Sequence, residues 1–172
     1  DQNHMRLVQY DALTGNVVRT VLEEKHDKYV EPMHPLAFLP WDDTKAVMQS
    51  QRDGYNHLYL LDLEKDELKQ ITTGKWVVQQ FVGFNTMARR LIFRSNEADP
   101  RKSCLYSVKV SGGKRTPLGA QEGVCYQAQL SSNGTAVISA YTAPDVPRSI
   151  NLLSTTTGKG TNILTAKDTW KE

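Results

Sequence analysis

Apolar residues in this chain come in short runs separated by turn residues, most regularly over residues 36–74. Leu36-Ala37-Phe38-Leu39-Pro40 is followed by Ala46-Val47-Met48-Gln49-Ser50. The polar stretch Gln51-Arg52-Asp53-Gly54-Tyr55-Asn56 then leads into His57-Leu58-Tyr59-Leu60-Leu61-Asp62. Last comes Glu67-Leu68-Lys69-Gln70-Ile71, ending at Thr72-Thr73-Gly74. Runs this short, bounded by Gly, Pro, Asn and Asp, predict strands rather than helices. Four of them in about forty residues make one twisted antiparallel sheet, which cannot bury both of its faces alone and needs a further sheet on each side.

The rest of the chain supplies such neighbours by repeating the pattern. Residues 6–11 and 17–22 predict a hairpin around Thr14-Gly15-Asn16. Residues 23–28 read as a charged connector, and 29–35, with Pro32 and Pro35, as an extended lead-in. A second four-strand unit is expected at 81–84, 90–95, 104–109 and 115–118, and a third at 126–130, 136–140, 149–153 and 161–164. Turns between first and second strands recur at Pro40-Trp41-Asp42-Asp43, Asn85-Thr86-Met87 and Ser131-Ser132-Asn133-Gly134. The third strands superpose from Leu7, Leu58, Leu105 and Ile150, a spacing of roughly 45–50 residues. That period predicts an all-β partial β-propeller: about three four-stranded antiparallel blades plus a leading β-hairpin, each blade with its first strand innermost. A sandwich of about fourteen strands offers no reason for the period. The expected divisions are 1–28 (half blade and connector), 29–74, 75–119 and 120–165 (blades) and 166–172 (tail). On the central strands, Leu58, Leu60, Leu91, Phe93, Leu105, Ile138 and Leu152 alternate with more polar residues and are expected to be buried between blades.

Composition narrows the function classes. With 172 residues, 39% of them hydrophobic and 23% charged, the chain is globular rather than disordered. Its 21 basic and 19 acidic residues leave a net charge of +2, which gives no electrostatic footprint for nucleic acid. No apolar run approaches the roughly 18 residues that cross a bilayer. The absence of an initiator Met makes Asp1 look like a cut into a longer chain. Cys104 and Cys125 form no CxxC pair, so no zinc site or other cofactor is expected. They read either as separate, partly buried thiols or as a disulfide across neighbouring strands, which would need an oxidising compartment.

Little else announces chemistry. His4, His26, His34 and His57 are scattered without a metal spacing, and His57 beside Asp53 suits a hydrogen bond that orients a turn. Arg52-Asp53 reads as an Asx-type turn rather than an acid–base pair. Trp76, just after a glycine between units, is expected to pack between sheets.

Several of these stretches together resemble the amino-terminal β-propeller of dipeptidyl peptidase IV-like proteins, of the prolyl oligopeptidase family. They are Gln51-Arg52-Asp53-Gly54-Tyr55-Asn56-His57-Leu58-Tyr59, Thr72-Thr73-Gly74-Lys75-Trp76-Val77-Val78, Ser95-Asn96-Glu97, Leu105-Tyr106, Ala143-Pro144-Asp145-Val146-Pro147 and the opening Asp1-Gln2-Asn3. The resemblance covers essentially the whole chain, fits the last blades of an eight-bladed propeller just before an α/β-hydrolase domain, and is closest in style to a bacterial, Bacteroides-type branch. It implies a serine exopeptidase that removes dipeptides from peptide amino termini, preferring proline or alanine second, and a periplasmic or cell-envelope location. The implied partners are the hydrolase domain of the same parent chain and peptide substrates. The family's nucleophile lies in Gly-Trp-Ser-Tyr-Gly-Gly on that domain, and this chain has no Gly-x-Ser-x-Gly. No catalytic residue is therefore expected here; the segment would wall the substrate chamber and restrict access. Glu23-Glu24 does not sit where the family's substrate-amine glutamates lie. The lead-in Tyr29-Val30-Glu31-Pro32-Met33-His34 corresponds to a segment facing the chamber, which makes Glu31 and Met33 candidate chamber-lining residues, although the family's aromatic–basic pair is not reproduced. The other reading is a protein-interaction propeller attached to no enzyme. Open blade ends are expected to drive self-association.

Overall fold

The computed structural model describes residues 2–32 and 34–168, which form fourteen strands and no helix. The hairpin is β1 (His4–Tyr10) and β2 (Val17–Lys25). Three four-stranded sheets follow: β3 (Ala37–Leu39), β4 (Asp42–Ser50), β5 (His57–Asp62) and β6 (Glu67–Gln70); β7 (Val78–Asn85), β8 (Arg90–Ser95), β9 (Cys104–Lys109) and β10 (Thr116–Leu118); and β11 (Val124–Leu130), β12 (Ala136–Ala143), β13 (Val146–Ser154) and β14 (Gly160–Thr165). Every sheet runs in chain order with antiparallel neighbours, the make-up of a partial β-propeller. Among the described residues no helix is long and apolar enough to cross a membrane.

Several strands extend beyond the expected bounds. Glu23, Glu24 and Lys25 belong to β2, not to a connector, because they pair with Arg6, Met5 and His4. β4 begins at Asp42, so the turn before it is shorter than expected; Asp42 Oδ1 accepts the Thr44 amide at 3.2 Å and shapes the strand's start.

The chain forms two compact units, residues 1–70 and 71–172. In the first, Arg19 ties the hairpin to the β5–β6 turn: its Nη1 lies 2.7 Å from Asp66 Oδ1, and Nη2 donates to the Leu63 carbonyl. The core of this unit includes Val21, Leu39, Ala46, Val47, Met48, Leu58, Tyr59 and Leu61. Leu60 is only half-buried, contrary to expectation, because it stands beside Lys69 of the outer strand β6.

In the second unit two sheets stack. Ile92, Leu105 and Leu118 of β7–β10 meet Cys125, Val137 and Leu153 of β11–β14, with Val82, Ala128, Leu130 and Tyr141 closing the margins. Gly83 makes room for this seam, since a Cβ there would lie 2.8 Å from Leu130 Cδ1. Polar links join the sheets at one end, where Asn85 Nδ2 donates to Thr155 Oγ1 (2.7 Å) and the Thr86 amide donates to the Asn133 carbonyl (3.1 Å). Gly134 in that turn has φ 69° and takes the Phe84 carbonyl where a side chain would stand, so both conformation and contact require glycine.

Trp76 stacks on Phe93 of β8 (ring centroids 6.3 Å apart), the Arg115 guanidinium lies 5.1 Å from the Trp76 ring, and Phe93 stacks in turn on Tyr106. Two further expected core residues are not buried. Ile138 and Leu152 are 45% and 44% exposed, on the face of β11–β14 opposite Val137 and Leu153. Alternation identifies the two faces of a sheet; it does not say which one is covered.

Candidate functional site

The first unit holds a cavity of about 460 Å³ between the end of the hairpin, the connector that follows it and the β4–β5 turn. Met5 and Leu7 of β1, Met48 of β4 and Val30, Pro32 and Leu36 of the connector give it apolar walls. The connector is anchored by backbone rather than by a core. The Val30 amide donates to the Gln2 carbonyl at 2.8 Å, the His26 amide to the Asn3 carbonyl at 3.1 Å, and Asn3 Nδ2 to the Asp27 carbonyl at 3.1 Å. His26 Nδ1 accepts the Lys28 amide at 3.1 Å, which leaves Nε2 to carry the proton of the neutral ring.

One wall carries a charged cluster. Alternation along β2 sends Glu23 outward to His4 (3.0 Å) and turns Glu24 inward, where its side chain is 9% exposed. The Glu24 carboxylate accepts Ser50 Oγ at 2.7 Å and Arg52 Nη2 at 3.0 Å. Ser50 Oγ accepts the Arg52 amide at 3.1 Å, and the guanidinium lies over the Tyr59 ring at 5.5 Å. Arg52 is thus fixed by an ion pair, a hydroxyl and an aromatic face, and among the described residues its Nη1 has no partner. Burial pushes the Tyr59 hydroxyl up to about 12, with the Asp53 charge adding to the shift. The Asx turn read at Asp53 is present: Oδ1 accepts the Tyr55 amide at 3.2 Å, while His57 Nε2 lies 4.0 Å from Oδ2.

Glu31 lines this cavity, with Lys28 and His34; Met33 lies outside the described residues. Glu24 and Arg52, the paired charges at this wall, were not singled out by the sequence as site residues. The available signal was acidic residues running on to the end of an otherwise apolar–polar strand, which marks an inward-facing charge with a partner. Among the described residues no group of His, Cys, Asp or Glu is placed to hold a metal ion. Cys104 and Cys125 are free and buried, and burial raises both thiols. Chemically the cavity is suited to binding: apolar walls take an apolar body, and a braced guanidinium offers donors to an oxygen acceptor.

The family described as the dipeptidyl peptidase IV (DPP IV) N-terminal region matches residues 1–148. Among solved structures, one from Bacteroides ovatus ATCC 8483, assigned as a dipeptidyl aminopeptidase IV, superposes with a TM-score of 0.86 at 39% identity, covering 97% of this chain and 26% of that one. Porphyromonas gingivalis dipeptidyl peptidase 4 shares the fold with a TM-score of 0.81 at 22% identity, covering 97% of this chain and 23% of that one. Among curated relatives, a protein of Arthroderma gypseum assigned as dipeptidyl-aminopeptidase B is 27% identical over 143 residues, covering 77% of this chain and 16% of its own length. The dipeptidyl peptidase 4 of Arthroderma otae is 29% identical over 99 residues, covering 57% of this chain and 13% of the relative. The chain therefore spans about a quarter or less of the length of these proteins.

Proposed function

Because the chain belongs to the dipeptidyl peptidase IV N-terminal region family, we propose that it is a non-catalytic propeller segment of a serine exopeptidase that removes dipeptides from peptide amino termini. Residues 29–74, 75–119 and 120–165 are its blades, 1–28 the half blade and connector, and 166–172 the tail. The segment walls the substrate chamber and limits access to short or unstructured peptides, leaving acyl transfer to an α/β-hydrolase domain of the parent chain. Glu31 and Met33 belong to the chamber lining, and the parent works in the periplasm or cell envelope.

The observation that carries this reading is the 39% identity to the Bacteroides ovatus structure along 97% of the chain. The cavity beside Glu31 supports it, since its volume and apolar walls suit part of a peptide. The test is made on the full parent protein with a Gly-Pro-anilide and with longer peptides. Glu31→Gln should change KM with kcat little altered, as expected of a group that binds without touching the reacting atoms. Residues 1–172 alone should give no turnover, lacking a nucleophile elbow and its base. A parent without dipeptidyl peptidase activity would refute the enzyme assignment. A Glu31→Gln protein identical to wild type on every peptide would remove Glu31 from the lining.

A further inference from the structure

The net charge of +2 conceals a division of charge along the chain. Residues 1–70 hold 8 Lys and Arg against 13 Asp and Glu, a net −5, whereas residues 71–172 hold 13 against 6, a net +7. Within the second unit the two signs are separated again, by sheet end. The β7–β8, β9–β10, β11–β12 and β13–β14 turns share one end of the two stacked sheets. Each sheet is an antiparallel meander, the Thr86 amide donates to the Asn133 carbonyl, and Asn85 Nδ2 donates to Thr155 Oγ1. That end carries Arg89, Arg90, Lys109, Lys114 and Lys159 and no acidic residue among those described. The acidic residues described in this unit are Glu97, Asp99, Glu122, Asp145 and Asp168, and all follow strands that finish at the other end.

At that other end opposite charges meet: Arg101 pairs with Asp99 at 2.8 Å and Lys102 with Glu122 at 2.6 Å. None of the five cations at the turn end has an ion-pair partner among the described residues. Arg90 is 8% exposed, yet its guanidinium donates only to neutral acceptors: Ser107 Oγ at 3.0 Å, the Ser107 carbonyl at 3.1 Å and Thr116 Oγ1 at 2.7 Å. Its cross-strand neighbour is Lys109, and like charges placed opposite each other repel. Buried charges are ordinarily paired, so folding alone gives no reason for this arrangement. Arg89 stands at φ 50°, in the left-handed region that the other three turns reach with Gly112, Gly134 and Gly158. Met87, in the same turn as Arg89, is 77% exposed.

We propose that this end of residues 71–172 docks on an anionic lipid surface. The exposed cations Arg89, Lys109, Lys114 and Lys159 belong to three separate turns, so they meet phosphates spread over a surface rather than one bound anion. Arg90 adds a fixed positive charge behind them, held by the hydroxyls of Ser107 and Thr116. Met87 decides between a membrane and a soluble polyanion. An exposed thioether beside cations can enter the apolar boundary beneath lipid headgroups, whereas a hydrated polymer offers it nothing to contact. The contact is peripheral: it uses turns and inserts no strand or helix. It depends neither on the peptidase reading nor on the cavity of the first unit.

Vesicle co-sedimentation of the full parent protein tests the proposal, with vesicles of phosphatidylcholine alone and of equal parts phosphatidylcholine and phosphatidylglycerol. The protein should pellet with the anionic vesicles only, and added salt should release it. Replacing Arg89, Lys109 and Lys114 together by Gln should weaken binding on the order of 100-fold, about fivefold per cation. Met87→Ser should weaken it on the order of fivefold without changing the salt dependence. A matched control replaces Lys65, Lys75 and Lys167 by Gln, exposed cations away from these turns, and should bind within about twofold of wild type. Arg89→Gln and Lys114→Gln are also measured singly, so that a folding defect in the triple variant leaves the test decisive. Failure to pellet, equal pelleting with neutral vesicles, or equal losses in the two triple variants would overturn the proposal. Retention on heparin without vesicle binding would assign the cations to a soluble polyanion and overturn it equally.

Discussion

Leu152 and Leu153 are neighbours on β13 that point to opposite faces, which makes them a controlled pair. Truncating either to alanine removes three carbons, worth about 2.4 kcal/mol at roughly 0.8 kcal/mol per fully buried methylene. Leu153 is 6% exposed and sits in the seam between two sheets, so nearly all of that is lost. An unfilled void of about 60 Å³ adds about 1.4 kcal/mol, for a total of roughly 3–4 kcal/mol. Leu152 is 44% exposed, so little more than half the transfer term applies and no closed void forms; the expected loss is about 1.3 kcal/mol. Backbone propensity is the same for both substitutions and cancels. Urea unfolding of the 172-residue chain, followed by tryptophan fluorescence with m unchanged, gives both values. Equal losses, or a larger one at Leu152, would mean that the assigned faces are wrong. In the full parent protein the Leu152→Ala loss should rise toward that of Leu153→Ala if the open face is covered there.

Other outcomes follow from the same geometry. Tyr59→Phe should be close to neutral at pH 7, because the buried hydroxyl has no hydrogen-bond partner among the described residues; a loss above about 1.5 kcal/mol in chemical denaturation would reveal one. Tyr59 is pushed up to about 12 and Tyr106 higher still by burial, so unfolded tyrosines ionise first. Stability should hold below pH 10 and fall as pH rises from there through 12, a decline that Tyr59→Phe blunts in pH-dependent melting. Cys104 and Cys125 should resist Ellman's reagent until the protein unfolds, since both thiols are buried and raised; two fast-reacting thiols in the native state would contradict their placement. Arg52→Met should cost about 1–3 kcal/mol by leaving the Glu24 carboxylate with Ser50 alone, and Glu24→Gln, which keeps an acceptor, should cost less. At micromolar concentration residues 1–172 should sediment as more than a monomer through their exposed aliphatic faces.

Much of the fold was legible because its signals are local. Each sheet is a meander, so the order of short apolar runs is also the order of strands, and each turn carries its own chemistry, as at Asp11, Asp53 and Asn133. Strand ends were harder to place. Glu23, Glu24 and Lys25 look like a solvated connector until the pairing with residues 4–6 is known, and that pairing spans the whole hairpin. Burial of particular leucines was least legible. Leu152 and Leu153 are the same residue one step apart, and only the neighbouring sheet decides which is covered.

The candidate site divides along the same line. Pro32 and Pro35 mark the connector as extended, and that is enough to bring Glu31 to a surface facing the β4–β5 turn. What gives the cavity its charge is a pair separated by 28 residues, Glu24 and Arg52, and neither is unusual in its own segment. Arg52 sits in a turn whose local demands are fully met by Asp53 and Gly54, so turn chemistry gives no reason for an arginine there. Its reason is the neighbouring strand: a carboxylate turned inward at the end of β2 needs a positive partner, because an unpaired charge so little exposed is costly. Glu24 in turn needs Ser50, which satisfies a second oxygen lone pair. The three residues therefore form one dependency that runs from strand alternation, through burial, to a guanidinium held in a fixed position at the cavity wall.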